Sequence, residues 1–177
     1  NKEDSIYYYS QDEKVYLQVE DHKYILGINQ GSSKAFRKEV LSKYNMQLEH
    51  SSQLPKGKYF VHFEPGLSPR KQSRYVEEIM KESFIDFIYP VMRPVQQSNS
   101  LLLPTNEILC APKSDVSDEE LRNILDKIGS QVKKDEYYGN FVLRIRKEAD
   151  KDVFEIANYL YESGAMDYAY PNFIAAM

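Results

Sequence analysis

Strand-like and helix-like hydrophobic patterns alternate along this chain, and the same order occurs twice. KYILGIN (Lys23–Asn29) is a short apolar run of strand length. SSKAFRKEVLSKYN (Ser32–Asn45) places Phe36, Val40, Leu41 and Tyr44 on one helical face, with Ser32 or Ser33 as the N-cap. MQLEHS (Met46–Ser51) reads as a short strand and LPKG (Leu54–Gly57) as a turn. KYFVHFEP (Lys58–Pro65) alternates, with Tyr59, Val61 and Phe63 to one side. PGLSP (Pro65–Pro69) is a turn and helix start. QSRYVEEIMKES (Gln72–Ser83) is amphipathic, with Tyr75, Val76, Ile79 and Met80 inward, and IDFIYPVM (Ile85–Met92) is the closing strand.

The second half repeats the plan. NEILCAP (Asn106–Pro112) is its first strand. SDEELRNILDKIG (Ser117–Gly129) opens on a capping box of Ser117 and Glu120, carries the stripe Leu121, Ile124, Leu125 and Ile128, and stops at Gly129. SQVKKDEY (Ser130–Tyr137) is a polar strand, and YYGN turns the chain. FVLRIRK (Phe141–Lys147) sends Phe141, Leu143 and Ile145 inward and Arg144 and Arg146 outward. DVFEIANYLYESG (Asp152–Gly164) is a helix with Val153, Ile156, Ala157 and Leu160 inward. MDYAYPNFI (Met166–Ile174) is the last strand.

Asp86, Tyr89 and Pro90 recur 81 positions later as Asp167, Tyr170 and Pro171. Each half therefore reads β-α-β-β-α-β, two helices on one face of a four-stranded antiparallel sheet. The predicted fold class is α+β: tandem ferredoxin-like units preceded by an N-terminal β-hairpin. The predicted segments are the hairpin at 1–22, a first unit at 23–94, a linker at 95–105 and a second unit at 106–177. The hairpin expectation rests on YYY and VYLQV flanking QDEK (Gln11–Lys14). In the linker, the run Leu101–Leu103 is expected to dock onto one of the units.

The 177 residues are 42% hydrophobic and 28% charged, enough for a core in an ordinary water-facing chain. A net charge of −4 gives no basic footprint for nucleic acid. Fifteen tyrosines fit strand faces and interfaces, where an apolar ring carries a polar tip. The single cysteine, Cys110, excludes an internal disulfide and reads as a small buried hydrophobe. His22, His50 and His62 each stand alone, with no metal-ligand spacing. No phosphate-binding loop and no nucleophile elbow occurs. FVLRIRK lacks the glycines and paired aromatics of an RNA-binding sheet. No apolar run reaches membrane-spanning length. No catalytic constellation, metal site or cofactor site is expected, so the chain reads as a binding or folding module rather than an enzyme.

ANYLYESGAMDYAYPNFIA (Ala157–Ala175) resembles the end of the N-terminal prodomain of bacterial subtilisin-like serine proteases, of the fervidolysin and Bacteroides type. In that family a helix ending in LYESG leads into a strand of the form VEYAEPNFI, and the catalytic domain follows. The resemblance covers the second repeat, Asn106 to Met177, and the opening IYYYSQDEKVYL with HKYILGI looks like the start of such precursors. It implies an intramolecular chaperone and temporary inhibitor, whose sheet packs on the protease and whose C-terminal tail enters the active-site cleft as a product-like strand. It implies protease-binding residues Tyr168, Tyr170, Asn172, Phe173, Ile174 and Ala175, with the catalytic Asp, His and Ser downstream in the same precursor. Tyr170 stands where the family commonly has Glu, and two units stand where its simplest members have one. Because the chain begins at Asn1 rather than Met, a removed leader and export to the periplasm, cell surface or medium are expected. The alternative is a ligand-sensing or protein-binding regulatory tandem, whose ligands would sit near Asn29–Lys34 or Lys113–Asp118.

Overall fold

The computed structural model describes residues 5–29, 31, 33–49, 54–97, 99–129, 131–137 and 140–175. Ser32, His50, Ser51, Ser130, the Tyr138–Gly139 turn and Ala176–Met177 lie outside the described residues. The strands are β1 (Ile6–Ser10), β2 (Glu13–Ile28), β3 (Met46–Glu49), β4 (Lys58–Phe63), β5 (Ile85–Pro94), β6 (Leu102–Leu103), β7 (Glu107–Pro112), β8 (Val132–Tyr137), β9 (Asn140–Ile145), β10 (Met166–Pro171) and β11 (Ile174–Ala175). The helices are α1 (Lys34–Ser42), α2 (Pro69–Met80), α3 (Asp118–Asp126) and α4 (Val153–Glu162). Strand order is β5-β2-β4-β3 in the first copy and β10-β7-β9-β8 in the second. The protein is thus α+β, a tandem of ferredoxin-like units with two antiparallel sheets.

Capping chemistry starts every helix. The hydroxyls of Ser33, Ser68 and Ser117 and the carboxylate of Asp152 accept from the backbone N–H of Phe36, Lys71, Glu120 and Glu155. Gly164 ends α4 at φ +81, a conformation that favours glycine. Helix α2 starts at Pro69, at the end of the helix-start signal PGLSP and ahead of the amphipathic run from Gln72, with Ser68 as its cap. Phe36, expected inward on α1, lies in its first turn, is 48% exposed and meets Phe84 only edge-on at 5.8 Å.

Contacts divide the chain into two units. The second-copy unit gathers Asn1–Gln18, Pro94–Gln97 and Asn106–Asn172, and the first-copy unit Val19–Arg93, Ser98–Thr105 and Phe173–Met177. The expected boundary at residue 22 falls inside the unbroken strand β2. Both termini therefore serve the copy from which they are distant in sequence.

In the second-copy unit, the β1–β2 hairpin turns through Gln11 and Asp12, at φ 51 and 65. Two residues with positive φ match the right-handed twist of the flanking strands. The hairpin packs on α4 and β10: the Tyr9 ring stacks on Tyr161 at 4.3 Å, and Asn158 Nδ2 donates to the Tyr7 carbonyl at 2.9 Å. Val153, Ile156, Ala157 and Leu160 of α4 are fully buried, together with Ile108, Cys110, Leu143 and Ala169 of the sheet.

In the first-copy unit, both faces of the sheet are buried. The helix side packs Leu26, Ile28, Val61 and Phe63 against Val40, Leu41 and Ile79. The opposite side packs Ile25, Phe60, Phe87, Val91 and Leu103, with Leu54, Leu101 and Ile174 partly covering them. Lys23 Nζ lies 4.6 Å from the Phe60 ring centre and Lys58 Nζ 5.1 Å from that of Phe87, so ammonium groups cap the aromatic rim. The Phe87 ring lies directly against Gly27: a Cβ there would sit 2.4 Å from its Cε1. The ring is 1% exposed and has nowhere to retreat. Gly27→Ala should therefore lower unfolding stability by about 1–3 kcal/mol, the usual range for overpacking. Denaturant titration checks this; an unchanged midpoint contradicts the packing.

Candidate protein-binding face and tail

The candidate site begins with alternation along β7. Ile108 and Cys110 point to the helices, so Glu107, Leu109 and Ala111 point to the other face. The pairing fixes their neighbours. Tyr170 lies opposite Leu109 and Tyr168 opposite Ala111 on β10. On β9, Arg144 lies opposite Glu107 and Val142 opposite Leu109. Direct cross-strand partners share a face. Tyr168, Tyr170, Leu109, Ala111 and Val142 therefore form one amphipathic patch on the side of the sheet away from Ala169, Cys110 and Leu143.

These side chains are half-buried, unlike the closed helix-free face of the first copy. The Tyr168 and Tyr170 rings are 5.4 Å apart and inclined by 35°. Partial burial raises the Tyr168 phenol above its ordinary value, helped by neighbouring Tyr170, Cys110 and Asp167. The Tyr168 phenol is thus held in its neutral form, a hydrogen-bonding tip on an apolar patch. Arg144 and Glu107 close one end with a 3.3 Å ion pair; Arg144 is half-exposed, so its weight is in charge pattern rather than stability.

The tail leaves this sheet at Asn172. Its N–H donates to the Glu107 carbonyl at 2.8 Å, and its Nδ2 reaches the Glu107 carboxylate at 3.5 Å. Glu107 therefore fixes where β10 ends. The first copy has no such stop, since β5 continues through Val91, Met92 and Arg93 to Pro94.

The six protease-binding residues named from the resemblance fall into two groups. Tyr168, Tyr170 and Asn172 belong to the second-copy unit. Phe173, Ile174 and Ala175 belong to the first-copy unit, where Ile174 pairs with Leu103 and Ala175 with Leu102. The sequence pattern alone did not single out Glu107, Leu109, Ala111, Val142 and Arg144. The signal was present: once Cys110 is taken as inward, alternation turns Leu109 and Ala111 outward.

Other candidate chemistry resolves into structure. The Cys110 thiol is fully buried, with Sγ 3.8 Å from the Phe141 carbonyl. Burial pushes its pKa up to about 12, with a small opposing effect from Lys134. His22 Nδ1 lies 2.9 Å from Gln72 Nε2, and His62 Nδ1 lies 2.9 Å from a Glu49 carboxylate oxygen. Among the described residues, no three His, Cys, Asp or Glu side chains gather as a metal site. Among them, no helix is long and apolar enough to cross a membrane.

No protein-family profile matches the chain, and no curated protein matches it. Among solved structures, protein BT0572 from Bacteroides thetaiotaomicron aligns over 90% of this chain and 94% of that one, at 12% identity and a TM-score of 0.24.

A thiol reagent at pH 8 should leave Cys110 unmodified in the folded protein, because the raised pKa keeps the thiol protonated and burial excludes the reagent. Modification should appear only with unfolding, followed by absorbance in rising denaturant. Rapid labelling of the native chain would contradict the burial.

Proposed function

We propose that this chain is the non-catalytic N-terminal prodomain of a secreted subtilisin-like serine endopeptidase. It would act as an intramolecular chaperone and a temporary inhibitor, with the catalytic domain following it in the same precursor. The observation that carries this reading is the half-buried, helix-free sheet face of the second copy, from whose last strand an extended tail departs at Asn172.

Each role follows from a feature of that face. Tyr168 and Tyr170 supply large, rigid contact area with polar tips, a residue type enriched where protein surfaces meet. Leu109, Ala111 and Val142 supply the apolar surface beside them. Covering such a patch with surface helices of a catalytic domain removes it from water and gives the folding protease a template to pack on. Inhibition needs only the tail. Residues 172–175 contain no Pro, and Ile174–Ala175 already adopt strand geometry, a form suited to pairing with the edges of a substrate cleft once the segment is released from β6. No group in the chain needs to take part in bond cleavage.

Inhibition assays with the cognate catalytic domain test the reading. The intact chain should inhibit peptide hydrolysis, and removal of Asn172–Met177 should weaken inhibition by at least about tenfold, a loss of 1.4 kcal/mol of binding. An active protease untouched by the intact chain would overturn the proposal.

The regulatory-tandem alternative has one observation in its favour. A 480 Å³ cleft beside α3 is lined by Lys113, Asp115, Glu120, Asn123 and Ser163. Its volume suits a small molecule, but the α3 N-terminus there already carries Asp118, Glu119 and Glu120, which satisfy its dipole.

A further inference from the structure

We infer that the edge of β6 is a strand-acceptor site for the chain's own Phe173–Ala175 segment, and that this dock withholds the tail from any other acceptor. The competing acceptor is the protease cleft, so that half of the inference rests on the function proposed above.

Three observations support it, all within the first-copy unit. First, β11 is paired in register on β6, Ile174 with Leu103 and Ala175 with Leu102. Second, Ile174 packs on the apolar cluster of Ile25, Phe60, Phe87, Val91 and Leu103, four of which are 0–1% exposed. Third, the acceptor is itself an accessory strand. β6 joins the sheet through Met92 opposite Leu102, beyond the four strands that complete the ferredoxin-like plan. The first copy thus carries an added strand whose far side takes the tail.

Packing makes the two fates of the tail exclusive. A cleft that accepts an extended peptide pairs with its main chain and takes its side chains into pockets. While Ile174 packs on the apolar cluster and one edge of the segment lies against β6, that side chain and that edge are unavailable elsewhere. A two-residue ladder is short enough to open, so docking sets a population rather than a permanent lock. Apparent affinity for the protease then falls in proportion to the fraction of tail that is free. The first copy would act as a brake on inhibition by the second.

A reversible cross-link tests this on the full chain. Leu103 and Ile174 are direct antiparallel partners, whose Cα atoms lie about 4.5–5.5 Å apart in such pairs, within disulfide range. In the Leu103→Cys/Ile174→Cys variant, mild oxidation should close the bond, with buried Cys110 uninvolved. The oxidised form should inhibit the catalytic domain at least about tenfold less than the reduced form. The same oxidant should leave inhibition by the wild-type chain unchanged. Equal inhibition by both forms would overturn the competition. Should the double variant fold poorly, amide exchange on the wild-type chain decides: protection of the β6-facing amide of the 174–175 pair supports the dock, and exchange of both amides without protection overturns it. If the wild-type chain shows that protection but never inhibits, the acceptor site stands and the prodomain reading falls.

Discussion

A four-stranded sheet with both helices on one side leaves its other side to water, and that side must be covered, polar or useful. This constraint organises the molecule, because the two copies meet it differently. In the first, the helix-free face is a second core: Phe87 lies against Gly27, and Leu54, Leu101, Leu103 and Ile174 close over Ile25, Phe60 and Val91. In the second, the equivalent face carries Tyr168, Tyr170, Leu109 and Val142, half-buried and bordered by Glu107 and Arg144. Each fully buried Phe, Leu or Ile contributes about 1.5–3 kcal/mol, so the first arrangement favours stability over availability. The second retains surface that another protein could cover.

The same constraint accounts for the segments outside the two repeats. Leu101 and Leu103 in the connector and Ile174 in the tail are apolar residues in stretches that would otherwise be linker, and all three go to the first copy's helix-free sheet face. The Tyr-rich hairpin goes to the second-copy unit, against α4 and β10. Each copy is therefore completed by a part of the chain remote from it in sequence. Such long-range closure carries a loop entropy that grows slowly with length, so modest apolar contacts suffice to offset it.

Much of this was legible beforehand. Periodicity gave four helices, the β-α-β-β-α-β order of each copy and most inward residues, because amphipathic patterns report burial directly. The hairpin turn followed from QDEK between aromatic runs. Other features depended on tertiary partners. Phe36 fits a helical stripe, but no local pattern shows that its ring stays half-exposed, with Phe84 edge-on beside it. KYILGIN reads as a separate strand, yet β2 runs from Glu13 and passes through His22 at φ 63. The closure of the first copy's outer face was hidden because Ile25, Phe60 and Phe87 look like the outward half of an alternating strand. Of the site, the tail and the two tyrosines came from a short resemblance. The patch around them needed the register of β7 with β9 and β10, which local sequence does not specify.

The central claim is that the two copies differ in what their helix-free faces are free to do. Amide hydrogen exchange on the full chain, with and without a stoichiometric subtilisin-like catalytic domain, tests it most directly. The account predicts new protection on β7, β9 and β10 of the second copy, with β2, β4 and β5 of the first unchanged because that face is already closed. Protection confined to the first copy's strands, or no change on either sheet when the protease is active and in excess, would contradict it.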